Sequence, residues 1–274
     1  MFLCVSGTIS LPPQPLCPIF AADDRGRPAL CGTGVLLRIA HKSFILSAAH
    51  VFESCPRSTL YLPGQHALEQ LTGTVFKNTI AVGVSRRDDP IDIAIMEISA
   101  DRATAIQQSY CFLTPECLDA NDVGLPGRYY EFRGYPASRT HVNPTTKKIR
   151  RSLFSFLTPC ASPTIYVRTG FNPNLNLLLP FDRKHVGNEQ GTHSVAPHPR
   201  GISGGGIWRR TIDSFSEDLS KSGKLVAIFT EYHEQQKTVV GVRIALFLEA
   251  IRAKYPELRL SIPVCNNVRI HVSA

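Results

Sequence analysis

Apolar runs too short for helices recur along this chain, each bounded by turn-forming residues. They include "ALCGTGVLLRI", "KSFILSA", "STLYL", "GTVF", "TIAVGV" and "IDIAIMEI" before residue 100. After a looser stretch, "TPECLDANDVGLPG", come "RYYEFRGY", "IRRSLFSFL", "TIYVRTG", "NLNLLLPF", "GGGIW", "KLVAIFTEY" and "TVVGVRI". Runs rich in β-branched and aromatic residues between Gly, Pro, Asn and Asp read as strands. Many short strands in two sets need closure or stacking to hide their edges, so two small antiparallel barrels or sandwiches are expected. The end differs. "ALFLEAIRAKYP" places Leu246, Phe247, Ala250 and Ile251 at helical spacing with Pro256 as a stop, which predicts one amphipathic helix over about 245–255.

A chain of 274 residues can bury a large core without disulfides, and one compact unit is expected over 1–274. With 43% apolar and 19% charged residues it is not a disordered polymer. Its net charge of +8 is too small to demand nucleic acid. The surplus is uneven: no acidic residue occurs from Phe132 to Phe181, while Arg133, Arg139, Lys147, Lys148, Arg150, Arg151 and Arg168 fall inside. A solvated basic hairpin accounts for it more simply than a nucleic-acid surface. The amino terminus lacks a basic residue before Arg25 and its apolar run is broken at Ser6 and Gly7, so no export signal is expected. No apolar run reaches transmembrane length. Eight cysteines (4, 17, 31, 55, 111, 117, 160 and 265) include no C-x-x-C pair, so reduced thiols and a cytoplasmic location are expected.

The stretch "PRGISGGGIW" sets Ser203 among Gly201, Gly204, Gly205 and Gly206. Glycine costs backbone entropy, so this density marks a chain that bends sharply or meets something closely. A serine hydroxyl attacks only when a base accepts its proton and fixed N–H donors stabilise the resulting oxyanion. In a tight turn the amides of Gly201 and Ser203 can supply those donors. His50, where "SAAHVF" passes from strand to turn, is the best-placed base among nine histidines, though a structural hydrogen-bonding role also fits a histidine there. Asp92, opening the apolar "IDIAIMEI", is the best acid, because a carboxylate there is costly to bury unpartnered. Asp88 and Asp89 read as polar residues of the preceding turn.

Taken together, "SAAH", "DIAI" and "GISGGG", in the order His, Asp, Ser, resemble the trypsin-like serine peptidases of the chymotrypsin fold. "GTGVLL" before the histidine, "GYP" at 134–136 and "LVAIFTEY…VVGVRI" after the serine extend the resemblance over roughly residues 30–250. It implies an all-β fold of two six-stranded antiparallel barrels, about 15–115 and 125–245, with the C-terminal helix behind. It implies His50 as general base, Asp92 as its orienting acid, Ser203 as nucleophile and the amides of Gly201 and Ser203 as oxyanion hole. "IFTEY" would pair with an extended protein or peptide substrate, giving Ile228, Phe229 and Thr230 as substrate-binding positions. The pocket wall would be "HSVAPHP", including Pro197, with Gly241 on another side. The wall carries no acid, which favours an apolar or small residue before the cut bond. No cofactor or metal is implied.

Departures from the secreted members narrow the reading. Ile202 stands where they carry an acid that pairs with a newly cut amino terminus, and Val51 stands where the usual disulfide partner of Cys31 would be. Both make the chain look more like stand-alone prokaryotic intracellular members, for which a regulatory protein partner is one expected restraint. Three other readings compete. "GISGG" also satisfies the nucleophile elbow of α/β-hydrolases, but the strand–helix alternation that fold needs is missing. His185, His193 and His198 match no compact metal motif. A double barrel that binds a peptide without cutting it keeps the fold but not the chemistry.

Overall fold

A computed structural model describes residues 13–23, 26–54, 59–64, 68–80, 82–86, 89–125, 127–143, 149–187, 193–210, 223–266 and 268. The first seven strands are β1 (Leu16–Ala22), β2 (Pro28–Ile39), β3 (Lys42–Ser47), β4 (Leu60–Pro63), β5 (Leu68–Leu71), β6 (Gly73–Lys77) and β7 (Ala94–Ile98). They form one antiparallel sheet in the order β5-β4-β1-β2-β3-β7-β6. Its two edge strands are consecutive in sequence with only Thr72 between them, so the ends of the sheet meet and it curls closed. Here too lies the reason for seven strands where six were expected: β5 and β6 are one strand position broken at a corner. A Cβ on Gly73 would lie 1.9 Å from the Glu97 carbonyl oxygen, a backbone approach that only glycine permits.

The second half contributes β8 (Tyr129–Gly134), β9 (His141–Val142), β10 (Ile149–Arg150), β11 (Phe154–Pro159), β12 (Asn176–Pro180), β13 (Val186–Gly187), β14 (His193–Ser194), β15 (Gly206–Arg210), β16 (Gly223–His233) and β17 (Thr238–Arg243). Six of these form a sheet in the order β11-β8-β15-β16-β17-β12, while β9–β10 and β13–β14 are separate ribbons. The edges approach each other where the Thr158 hydroxyl donates to the Pro180 carbonyl at 2.9 Å and the Ala161 amide to that of Leu178 at 3.0 Å. The described residues also form four α-helices: α1 (Ala49–Glu53), α2 (Ala100–Gln107), α3 (Pro163–Thr169) and α4 (Ile244–Lys254).

The central strands β1, β2, β3 and β7 of the first sheet are largely buried on both faces, which is why they read as unbroken apolar runs, whereas β6 at the edge is mostly exposed. Leu16, Val35, Leu46, Ile95 and Phe76 stand opposite one another across five strands. This row packs toward Trp208 and, on α4, Phe247, so it belongs to the seam between the halves. The alternate residues Leu36, Ile45 and Met96 fill the barrel interior with Val51 of α1 and Ile106 of α2. The second interior is aromatic, with Phe132 touching Phe154, Phe156, Phe181 and Phe229. Fully burying each such side chain is worth about 1.5–3 kcal/mol.

Two expected strands are not strands. "TIYVRTG" is α3, for Pro163 occupies its first turn and Gly170 closes it at φ +75°. In "TIAVGV" the described residues form a turn with Gly83 at φ +85°, leaving Val82 and Val84 exposed. No helix among the described residues is long and apolar enough to cross a membrane. Cys4, Cys55, Asp88, Lys147 and Lys148 lie outside the described residues, as does the amino-terminal run through Pro12.

Candidate active site

His50 is carried on α1, directly after β3, so the first barrel's central hairpin fixes its position. Asp92 lies two residues before β7, the strand that pairs with β3, and the two side chains meet over that pair. The Asp92 Oδ2 atom is 2.5 Å from His50 Nδ1, and its Oδ1 accepts the His50 backbone N–H at 3.0 Å. Both carboxylate oxygens are thus occupied by one residue. The Asp92 side chain is 8% exposed and that of His50 41%, so the carboxylate is buried while the imidazole reaches solvent. A carboxylate so placed selects the tautomer with its proton on Nδ1 and leaves Nε2 free to accept one.

Ser203 lies on two consecutive turns. Ile202 N–H donates to the Pro199 carbonyl at 2.8 Å and Gly205 N–H to the Ile202 carbonyl at 2.7 Å. The third residue of each turn, Gly201 at φ +94° and Gly204 at φ +85°, is left-handed, whereas Arg200 and Ser203 are not, which defines two type II turns. Other backbone groups nearby are spoken for. The Arg200 carbonyl accepts from Ala137, the Ser203 carbonyl from Thr33 and the Phe229 carbonyl from Gly204. Among the described residues the N–H groups of Gly201 and Ser203 and the Ser203 hydroxyl have no hydrogen-bond partner. Two uncommitted amides therefore flank one uncommitted hydroxyl.

The turn is seated on the first barrel through Thr33, a fully buried residue of β2. Thr33 Oγ1 donates to the Gly201 carbonyl at 2.8 Å and accepts from the Tyr135 amide at 3.0 Å, while the Ser47 hydroxyl donates to the Thr33 carbonyl at 2.8 Å. A Cβ on Gly32 would fall 2.6 Å from the Val51 side chain and 2.9 Å from the Ser203 carbonyl oxygen, so the residue after His50 and the Ser203 loop share one small space. Ile202 is fully buried and packs on Gly134, where a Cβ would lie 2.8 Å from its Cγ2. Neither Thr33 nor Ser47 was singled out as a site residue in the sequence; "GTG" and "SAAH" carry them, but nothing local says what they hold.

Of the expected substrate positions, Ile228 and Phe229 are buried in the core, and Gly241 packs against Ile207, whose Cδ1 lies 2.4 Å from the place of a Cβ. All three face the protein interior, and β16 is paired on both sides up to Ile228. Past that point β15 ends, Thr230 forms a bulge, and from Glu231 to His233 the strand pairs with β17 alone. Thr230 lies at this transition, its hydroxyl donating to the Val240 carbonyl at 3.2 Å. The Tyr232 ring stands edge-on to Phe181 and His198, and Pro197 is half-buried in the same segment. His185 pairs with Asp182 at 2.9 Å, and His198 Nδ1 accepts from the Arg200 amide at 3.1 Å. The His193 side chain lies outside the described residues. Among the described residues no three metal-ligating side chains gather, and the six described cysteines, including Cys31, are unbridged.

No protein-family model matches the chain, and none of the curated proteins compared with it does. Solved structures do. A structure of neuropsin, described as a serine protease expressed in the limbic system of mouse brain, aligns with TM-score 0.55 and 15% identity over 88% of this chain and 94% of its own. The VesB protease of Vibrio cholerae aligns with TM-score 0.52 and 15% identity over 87% of this chain; only 63% of that longer chain is spanned. The chain has the chymotrypsin-like double-barrel fold.

Proposed function

We propose that the protein is a serine endopeptidase in which His50, Asp92 and Ser203 act as one catalytic unit, the two barrels of about 15–115 and 125–245 forming a single working domain. The observation that carries this reading is the double contact of Asp92 with His50, which points the free imidazole nitrogen outward at 2.5 Å and 3.0 Å contacts behind it. In the first step His50 Nε2 removes the Ser203 proton as Oγ bonds to the scissile carbonyl carbon, and the oxyanion is held by the Gly201 and Ser203 N–H groups. The C–N bond then breaks, the amine leaving with the proton from His50. Water repeats the sequence on the acyl-enzyme and releases the acid. No cofactor or metal takes part.

An extended peptide would add along β16 from the bulge at Thr230 onward, where Glu231, Tyr232 and His233 have a partner strand on one side only. Pro197 and the Tyr232 ring would bound the pocket for the residue before the cut bond, and an apolar or small residue suits them. The unbridged cysteines support a reducing, cytoplasmic setting, where a regulatory protein would limit proteolysis. A second reading, a peptide-binding module without cleavage, is favoured by one observation: Ser203 Oγ has no hydrogen bond to His50. A fluorophosphonate probe separates them. Labelling of the folded protein, lost in Ser203→Ala and His50→Ala, supports the peptidase; a folded protein that stays unlabelled and yet binds peptide supports the module.

A further inference from the structure

Beside the His50–Asp92 pair lies a second connection between the same two segments, made by a residue that touches neither. Arg86 is 12% exposed, and all five of its N–H donors are used. Nε donates to Glu53 Oε2 at 3.1 Å and Nη2 to Glu53 Oε1 at 2.8 Å, a two-point grip on the carboxylate. Nη1 donates to Asp89 Oδ2 at 2.6 Å and to Asn78 Oδ1 at 2.9 Å, and Nη2 reaches the Asn78 carbonyl at 3.2 Å. The acceptors are placed in turn: Asn78 Nδ2 donates to Asp89 at 2.8 Å, and Asp89 Oδ1 receives the Ile91 amide at 3.0 Å.

The location of those acceptors gives the cluster its meaning. Glu53 is three residues after His50, one turn along α1, and Asp89 is three residues before Asp92. The second barrel adds a hold on the same loop, for the Asn176 side-chain Nδ2 donates to the Pro90 carbonyl at 2.8 Å. We infer that Arg86 is a positioning residue that sets the distance and angle between His50 and Asp92 by bracing α1 against the loop of residues 89–92. It acts through the dyad and not on substrate. A lysine could not replace it, since one ammonium cannot span Glu53, Asp89 and the Asn78 carbonyl in fixed geometry.

This inference rests on the peptidase reading for its kinetic arm, but its spectroscopic arm does not. In proton NMR a histidine N–H bonded to a carboxylate gives a far-downfield signal, assigned here by its loss in His50→Gln. Arg86→Met is expected to broaden or shift that signal, and to lower kcat on a peptide substrate by on the order of tenfold to a hundredfold with KM unchanged, because small misplacements at a reacting centre are costly. Arg86→Lys should lie between Met and wild type. Should Arg86→Met fail to fold, Glu53→Gln and Asp89→Asn each cut one limb of the brace and are expected to give the same change in smaller measure. An unchanged downfield signal, or unchanged kcat, in folded variants overturns the positioning role. A wild-type protein that fails to label with a fluorophosphonate defeats the peptidase reading instead, and leaves the NMR comparison to decide this one.

Discussion

Thr33 on the first barrel gives its hydroxyl hydrogen to the carbonyl of Gly201 on the second, 168 residues away, at 2.8 Å. The same oxygen accepts the Tyr135 amide, so one buried side chain ties β2 to two segments of the other half. Thr33→Val keeps the shape and deletes both bonds, leaving a buried N–H and a buried carbonyl unpaired. A loss of about 1–3 kcal/mol per unpaired group is expected in urea unfolding, together with slower labelling of Ser203. Wild-type stability and labelling would remove the clamp from this account.

Gly204 and Gly26 are both left-handed, at φ +85° and +69°, yet their surroundings differ. A Cβ at Gly204 would lie 1.9 Å from the Thr33 carbonyl oxygen and 2.1 Å from Ser47 Oγ, whereas one at Gly26 meets nothing within 4 Å. Gly26→Ala is expected to cost only the backbone term of about 1–2 kcal/mol. Gly204→Ala carries that term plus displacement of the turn that holds Ser203, so it should lose far more stability and all labelling. The two unfolding midpoints, measured side by side, test the comparison.

Glu53 links stability to pH. Hydrogen bonds from Arg86 hold its carboxyl down to about 2 from the ordinary 4.5, against the opposing effect of burial and with help from Lys77. A carboxyl depressed in the folded state contributes stability that is complete above its unfolded value and disappears as pH falls through the folded one. Wild type should therefore exceed Glu53→Gln in unfolding free energy at neutral pH, and the gap should close between pH 4.5 and about 2. A gap that persists unchanged at pH 2 would show that the ion pair is not its source.

Burial pushes the Cys17 thiol up to about 12. The thiolate is the reactive form, so Cys17 should resist alkylation by iodoacetamide in the native protein at pH 8 and react only as the chain unfolds. Peptide mapping after timed alkylation reads this directly; rapid native labelling of Cys17 would contradict its enclosure.

What could be read from the sequence was local. Ser203, His50 and Asp92 each stand in a distinctive short context, and β2, β3, β8, β16 and β17 are apolar runs with turns at their ends. What could not be read depends on partners far along the chain. Thr33, Ser47 and Arg86 are unremarkable residues until Gly201, Glu53 and Asp89 are brought to them. β1 escaped notice because Pro18 interrupts it, and proline suits only a strand lacking a neighbour on its N–H side. Its second partner, β4, reaches only Phe20 and Ala21, so at Pro18 the strand behaves as an edge. α3 was mistaken for a strand because "TIYV" is β-branched and aromatic, although Pro163 before it and Gly170 after it were helix punctuation in plain view.

Ile202, enclosed against Gly134 within the Ser203 turns, is an anchor without a charge. A carboxylate in that place would be sensitive to acid and to ionic strength, and would hold the turn only while its cation was present. A hydrocarbon side chain answers to neither. The shape of the turn around Ser203 is thereby insulated, at this anchor, from the ionic composition of its surroundings.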